Sequence, residues 1–186
     1  MQRGFKTQCE RLALDFRQDF KLSDHDPLDA WQLASSLGAE VLDPQLLNTA
    51  DGGTIKRLLT KHKACWSAAT VFDGNDIVII LNSAHSKSRQ SNSLAHELSH
   101  IICSHEPAHI VVSRNGELLL HEYDQEQEEE ATWMAGTLLL PRPALLYIAA
   151  NKLDNADGAH RYGVSKQLLD WRLNATGVRR QARAWR

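Results

Sequence analysis

The sequence lacks the features that mark a membrane protein or a disulfide-bonded one. Its longest aliphatic run covers residues 77–81, far short of the about 20 apolar residues that a transmembrane helix needs. No basic start followed by an apolar core and a small-residue cleavage site opens the chain, so we expect a cytoplasmic protein with no membrane partner. The chain has only three cysteines and no CxxC pair, which argues against a disulfide framework and against a cysteine-rich zinc site.

Charge is unevenly distributed along the chain, although its total is small. The 186 residues carry a net charge of −2, and 42% are hydrophobic, which is ordinary for a globular protein. Residues 149–186, here called the basic tail, carry a net charge of +5 and leave −7 for the remainder. We therefore divide the chain into a main domain, residues 1–148, and a helical basic tail that packs on it and resembles half of a helix-turn-helix. The charge of the tail makes nucleic acid an alternative partner.

The hydrophobic pattern predicts an α+β fold for the main domain. The predicted helices cover residues 7–20, 28–37, 93–102 (capped by Asn92 or Ser93) and 128–140. A short strand is predicted near Val41 and a β-hairpin over residues 68–81, which together indicate a small antiparallel sheet. Residues 82–91 are predicted to form a polar linker, and Ser165 to cap a helix of the basic tail.

An HExxH motif, His96-Glu97-Leu98-Ser99-His100, lies on the third predicted helix. Two histidines four residues apart differ by about 40° around a helix axis, so both imidazoles can reach one metal ion. Glu97 points about 100° away from His96, where it can act on a water activated by the ion. Zinc suits two imidazoles and a carboxylate with one position left open. We therefore predict that Zn2+ binds His96 and His100, and that Glu97 is the general base and acid of a hydrolase.

The third ligand is expected on the next predicted helix, which opens with an acidic run over residues 126–130. Glu128 joins the edge of the apolar arc of that helix. Glu129 lies about 100° from Glu128, and Glu130 lies about 200° from it, toward solvent. Glu128 is therefore the preferred ligand, and Glu129 and Glu130 are the alternatives. Thr132, one turn later, is a candidate for supporting the ligands.

These segments resemble the ImmA/IrrE metallopeptidases. The chain has SLAHELSH from residue 93, EEEATWMA from residue 128 and LLLP from residue 138, where the family typically has TLAHELGH, ExEANxFA and LLMP. Ser99, Thr132, Met134 and Leu140 depart from the family pattern. The resemblance implies a zincin-like fold with an HExxH active-site helix and a third ligand at Glu128. It also implies a regulatory peptidase that cleaves helix-turn-helix repressors of mobile elements or stress genes.

The motif and the resemblance together predict a zinc-dependent endopeptidase that hydrolyses a peptide bond in a regulatory protein. Two alternatives use the same residues differently. In the first, the protein is a DNA-binding regulator whose zinc site is vestigial and whose basic tail binds the duplex. In the second, it is an interaction protein of the toxin–antitoxin type, in which zinc only stabilises the fold.

Several further residues lie between the two metal-bearing helices. Candidates for stabilising an oxyanion are His105, His109, His121 and Tyr123. The simpler interpretation is that each of these side chains lies in a solvated loop. Cys103 falls on the same face of its helix as the two histidines. The simpler interpretation is that it is a small buried residue of the helix.

Overall fold

The computed structural model describes the chain except for residues 2, 48–51, 75, 107–109, 113–117, 121–123 and 185–186. The described helices are α1 (Phe5–Asp19), α2 (Ala30–Ser36), α3 (Gly52–Leu59), α4 (Lys87–Ile102), α5 (Gln125–Leu139), α6 (Arg142–Ala150), α7 (Asn155–Arg161), α8 (Lys166–Ala175) and α9 (Val178–Ala184). The described strands are β1 (Ala39–Leu42), β2 (Ala68–Asp73), β3 (Asp76–Leu81), β4 (Ile110–Val112) and β5 (Leu118–Leu120), and a 3-10 turn covers Pro44–Leu46. The predicted α+β class is confirmed, whereas α3, α6, β4 and β5 were not predicted.

The larger sheet has three strands in the order β1-β3-β2. β2 and β3 form the predicted antiparallel hairpin, with Ala68 opposite Leu81. β1 runs parallel to β3, with Ala39 opposite Ile77, so the prediction of a wholly antiparallel sheet is wrong. The long connection from β1 to β3 allows this, because a parallel pair needs a crossover. β4 and β5 form a separate antiparallel pair.

The helix that carries the HExxH residues starts earlier than its hydrophobic pattern indicates. α4 begins at Lys87 and is capped by the Ser86 side chain. The predicted caps Asn92 and Ser93 lie inside the helix, so that prediction is wrong, and so is the assignment of its first turns to a polar linker. The polar residues of these turns have partners within the fold. The buried Gln90, for example, donates hydrogen bonds to backbone carbonyl groups of the preceding loop.

α5 and α6 form the apolar centre of the described fold. α5 begins at Gln125, ahead of the predicted residue 128, because the Asp124 side chain caps its first amides. Met134, Leu138 and Leu145 from these helices are completely buried. Among the described helices, none alone is long and apolar enough to cross a membrane. α5 and α6 taken together, with a 48° bend between them, meet that test by length and composition only.

The described part of the basic tail packs on the main domain. The Ser165 hydroxyl accepts a hydrogen bond from the Leu168 amide (3.1 Å), which confirms the predicted cap of α8. Leu169 and Val178 belong to the same buried cluster as the apolar residues of α5 and α6. The division of the chain after residue 148 stays a prediction.

Two buried arginines hold the C-terminal end of α5. Arg17 donates from Nη2 to the Leu138 carbonyl oxygen (3.0 Å), and Arg172 donates from Nε to the Leu140 carbonyl oxygen (3.1 Å). Arg172 also pairs through Nη2 with Glu10 Oε1 (2.8 Å). Burial lowers the pKa of Arg17 to about 10, so the side chain stays charged near neutral pH. Because the last carbonyls of a helix have no intrahelical partner, these bonds tie α5 to α1 and to α8.

The close approach of α8 to α5 gives a test of this packing. A Cβ atom at Gly136 would lie 2.6 Å from Trp171 Cζ3 and 3.0 Å from Arg172 Cδ. We expect Gly136→Ala to lower the free energy of unfolding by about 1–3 kcal/mol through overpacking, although alanine is the better helix former by about 1 kcal/mol. Chemical denaturation measures the change.

The matched control is Gly52→Ala, a second glycine-to-alanine change within a helix. Among the described residues, and apart from the adjoining backbone of the chain, nothing lies within 4 Å of a Cβ built at Gly52. This variant should unfold at the wild-type free energy or be more stable by up to about 1 kcal/mol. If Gly136→Ala is as stable as the wild type, α8 does not pack on α5 as described.

Candidate metal centre

α4 presents two histidine side chains side by side. His96 and His100 are one helical turn apart, with their ring centroids 4.9 Å apart and their Nε2 atoms 3.2 Å apart. On the same helix Leu94 and Leu98 are completely buried, which fixes the rotation of α4 about its axis. The two imidazoles therefore project together from the edge of the core.

α5 brings one carboxylate to both imidazoles. Glu128 Oε2 lies 3.1 Å from His96 Nε2, and Glu128 Oε1 lies 3.3 Å from His100 Nε2. Glu129 is exposed and accepts a hydrogen bond from the Gln125 side chain (3.2 Å). Of the three glutamates considered from the sequence, the structure brings Glu128 to the two histidines.

The separations of these three side chains fit a metal ion. Their ligand atoms all lie within 4.8 Å of one another, and they are the only such group among the residues that the structure describes. Zinc bonds of about 2.0–2.1 Å in a tetrahedral arrangement place neighbouring ligand atoms about 3.3 Å apart. The two Nε2 atoms, 3.2 Å apart, match that value. Each Glu128 oxygen lies at a similar distance from one imidazole, Oε2 at 3.1 Å from His96 Nε2 and Oε1 at 3.3 Å from His100 Nε2. The side chains keep 25–31% of their surface exposed, which leaves one side of the centre open.

The protonation state of His100 also suits a metal ligand. Burial and the neighbouring His96 lower the pKa of His100 to about 4, and this outweighs the opposite effect of Glu128. His100 is therefore neutral near pH 7, and the neutral imidazole is the form that binds metal ions.

Glu97 lies outside the three-residue cluster and contacts the sheet. Its Oε2 accepts a hydrogen bond of 2.6 Å from the Thr70 hydroxyl on β2. Sequence reasoning missed Thr70, because nothing in the alternating pattern of the hairpin distinguishes the strand residue that faces α4. The contact holds the Glu97 carboxylate at the boundary between α4 and the edge of the sheet.

Two side chains near the cluster differ from the sequence-based interpretation. The His105 side chain is only 6% exposed and its Nδ1 lies 3.0 Å from His100 Nδ1, so a solvated loop is the wrong interpretation. Glu130 was expected to face solvent, but its side chain is only 15% exposed and lies beside His105. His105, which directly follows the turn that ends α4, thus packs against this part of α5.

The remaining candidates contribute less to the described centre. Thr132 is exposed. Cys103 is half-buried, and burial raises the pKa of its thiol to about 11, so the thiol is protonated near neutral pH. His109, His121 and Tyr123 lie outside the described residues.

Comparison with known proteins adds one finding. A family model described as the IrrE N-terminal-like domain, of the M78 group of peptidases, matches residues 61–174. This is more than half of the 186-residue chain. The matched segment contains β2, β3, α4 and α5, and therefore every residue of the candidate centre. No curated protein sequence matches the chain.

The centre predicts a specific requirement for Glu128 in metal binding. With zinc at about 100 times its dissociation constant, the wild-type free energy of unfolding should rise by about 2.7 kcal/mol. Glu128→Gln should lose most of this gain, because a neutral amide is a poor zinc ligand. Thermal unfolding with zinc and with a chelator measures the difference.

Glu129→Gln is the control, since it makes the same chemical change one residue further along α5 at an exposed side chain. It should keep the full stabilisation by zinc. Equal losses in the two variants would mean that the His96, His100 and Glu128 cluster does not bind the ion.

Proposed function

Because the chain belongs to the peptidase family of the IrrE N-terminal-like domain, we propose that it is a zinc-dependent endopeptidase that cleaves a regulatory protein. Membership of this family confirms the resemblance drawn from the motifs. The observation that carries the proposal is the convergence of His96, His100 and Glu128, whose ligand atoms lie within 4.8 Å of one another. We also infer a zincin-like arrangement in which α4 is the active-site helix.

His96, His100 and Glu128 are the residues that would hold Zn2+. When bound, the ion would lower the pKa of water toward about 7 and polarise the carbonyl group of the peptide bond. Imidazole ligands carry no charge and the cluster has a single carboxylate, so the ion with its three ligands would keep a net positive charge. That charge is what would polarise the water and the carbonyl group. The open side of the cluster lets a peptide approach.

Glu97 is proposed as the general base and acid. One of its oxygens, Oε2, accepts the Thr70 hydrogen bond, which orients the carboxylate. The other oxygen, Oε1, takes the proton of the attacking water and later delivers it to the leaving amine. Thr70 acts through Glu97 and is a positioning residue.

β2 is the proposed docking site for the substrate backbone. It is an edge strand of the described three-stranded sheet, and an extended peptide can add to such an edge by backbone hydrogen bonds. Thr70 on this strand contacts Glu97, so a peptide bound along β2 passes beside the proposed base. Val71 and Phe72 are 46% and 47% exposed and provide apolar contacts at the same strand.

The substrate class rests on the family resemblance and not on residues of the site. We propose a helix-turn-helix repressor as the substrate and the cytoplasm as the location. The alternative in which the basic tail binds DNA has less support from the described residues. Arg172 is buried against Glu10, and Arg179 pairs with Asp170, so neither guanidinium is available to phosphates without losing a partner.

The proposed base is tested by Glu97→Gln. This variant should bind zinc with wild-type affinity but cleave about 10²–10⁴ times more slowly, because the amide cannot accept the proton. The neighbouring genes are searched for a helix-turn-helix protein to use as substrate. A mixture of synthetic peptides is tested in parallel, and mass spectrometry finds the products.

Glu129→Gln serves again as the control and should cleave at the wild-type rate. Cleavage of peptides without cleavage of the repressor would support a peptidase and exclude this substrate. A Glu97→Gln variant as active as the wild type contradicts the role of Glu97. Salt-dependent duplex binding that requires residues 160–186, without any cleavage, would favour the DNA-binding alternative.

The positioning role of Thr70 gives a separate prediction. Thr70→Val keeps the shape of the side chain but removes the hydroxyl, and should lower kcat about 10- to 100-fold, the cost of a hydrogen bond to a charged group. Thr70→Ser retains the hydroxyl and should recover most of the activity. Zinc affinity should be the same in both variants, and equal kcat values for valine and serine would rule out the role.

A further inference from the structure

A third histidine lies behind the candidate metal centre. His105 Nδ1 is 3.0 Å from His100 Nδ1, and the two rings meet edge to face with centroids 5.0 Å apart. Since His100 presents Nε2 to Glu128, this contact uses the other ring nitrogen. His105 therefore contacts a proposed ligand on the side away from the cluster.

The turn that ends α4 places His105 there. Ser104 has a positive φ of 54°, and this left-handed residue reverses the chain directly after the helix. The His105 amide then donates to the His100 carbonyl oxygen (2.9 Å). The backbone bond and the ring contact join the same two residues, so the position of His105 is fixed relative to the ligand.

Glu130 lies on the far side of His105. Its Oε2 is 3.4 Å from His105 Nε2, and the two side chains are 15% and 6% exposed. His105 Nε2 is buried and makes no hydrogen bond within the described residues. Because 3.4 Å is a few tenths of an ångström longer than a good N–H···O bond, a small rotation of either side chain completes one.

The ring nitrogens allow one consistent assignment of protons. A neutral His100 that keeps Nε2 for a metal ion carries its proton on Nδ1. The His100 Nδ1–H donates a hydrogen bond to His105 Nδ1, which must then be unprotonated, so a neutral His105 carries its proton on Nε2. The His105 N–H then faces the Glu130 carboxylate, which is an acceptor.

We propose, on the basis of the metal site proposed above, that His105 and Glu130 are positioning residues for His100. Glu130 orients His105, and His105 fixes the tautomer and the ring orientation of His100. Hydrogen-bonded partners behind a ligating histidine also raise its basicity, and their loss typically costs about 10–100-fold in metal affinity. The proposal gives a function to Glu130, the glutamate that the phase of α5 alone would leave in solvent.

The test is the zinc dissociation constant at pH 7, measured by competition with a chromogenic chelator. His105→Leu removes the acceptor and should weaken binding about 10–100-fold. His105→Asn keeps an acceptor, since Oδ1 occupies the place of Nδ1, and should bind at least several-fold more tightly than His105→Leu. Glu130→Gln should weaken binding about tenfold, whereas the exposed Glu129→Gln should leave it unchanged.

The double variant distinguishes positioning from general support of the fold. If Glu130 acts through His105, Glu130→Gln has no further effect in a His105→Leu background, whereas independent effects would multiply. Unfolding of the metal-free variants shows that each one folds. Wild-type affinity in His105→Leu, equal affinities of the leucine and asparagine variants, or multiplying effects overturn the inference while the metal site stands. A wild-type protein that binds no zinc overturns both.

Discussion

The packing of α4 against α5 is the constraint on which the candidate site depends. The two helices contact each other closely, and completely buried leucines on both sides set how each is rotated about its axis. Once Leu98 and Leu138 face the core, the phase of each helix determines where its polar residues project. His96 and His100 on one helix and Glu128 on the other then meet at the border of the packed surface. The positions of the three ligand atoms are thus a result of apolar packing, and the neutral state of His100 lets the imidazoles lie together without repulsion.

The position of α5 depends in turn on parts of the chain remote from the site. Arg17 from α1 and Arg172 from α8 both donate to carbonyl oxygens at its C-terminal end. Gly136 lets the Trp171 ring approach the helix where any side chain would collide. The tail therefore contributes to the placement of Glu128 although none of its described residues belongs to the cluster. Two buried guanidinium groups are costly unless each finds acceptors, which explains why they bind backbone carbonyls and Glu10.

Sequence reasoning identified what local periodicity and spacing encode. The HExxH residues, the hairpin, the helical phase of Glu128 and the Ser165 cap all depend on neighbours within a few residues. The start of α4 was misjudged because its first two turns are polar, although Ser86 is itself a good N-cap residue. The direction of β1 and the contact of Thr70 with Glu97 depend on residues far apart in the chain, about which periodicity is silent. Glu130 was wrongly placed in solvent because a helical wheel shows the phase of one helix and not the residues, such as His105, that pack against it from elsewhere.

Three glutamates near the site differ in chemistry because each has a different partner. Glu128 contacts two imidazole nitrogens and is suited to hold an ion with them. Glu97 accepts a hydrogen bond from the Thr70 hydroxyl beside β2, the edge strand proposed to dock the substrate. Glu130 faces the far nitrogen of His105, which in turn contacts His100. Glu128 and Glu130 are two residues apart on one helix, so residue type cannot separate a ligand from a supporting residue. The contacts made from α4 and from His105 support the two proposed roles, and both lead to the same histidine, His100.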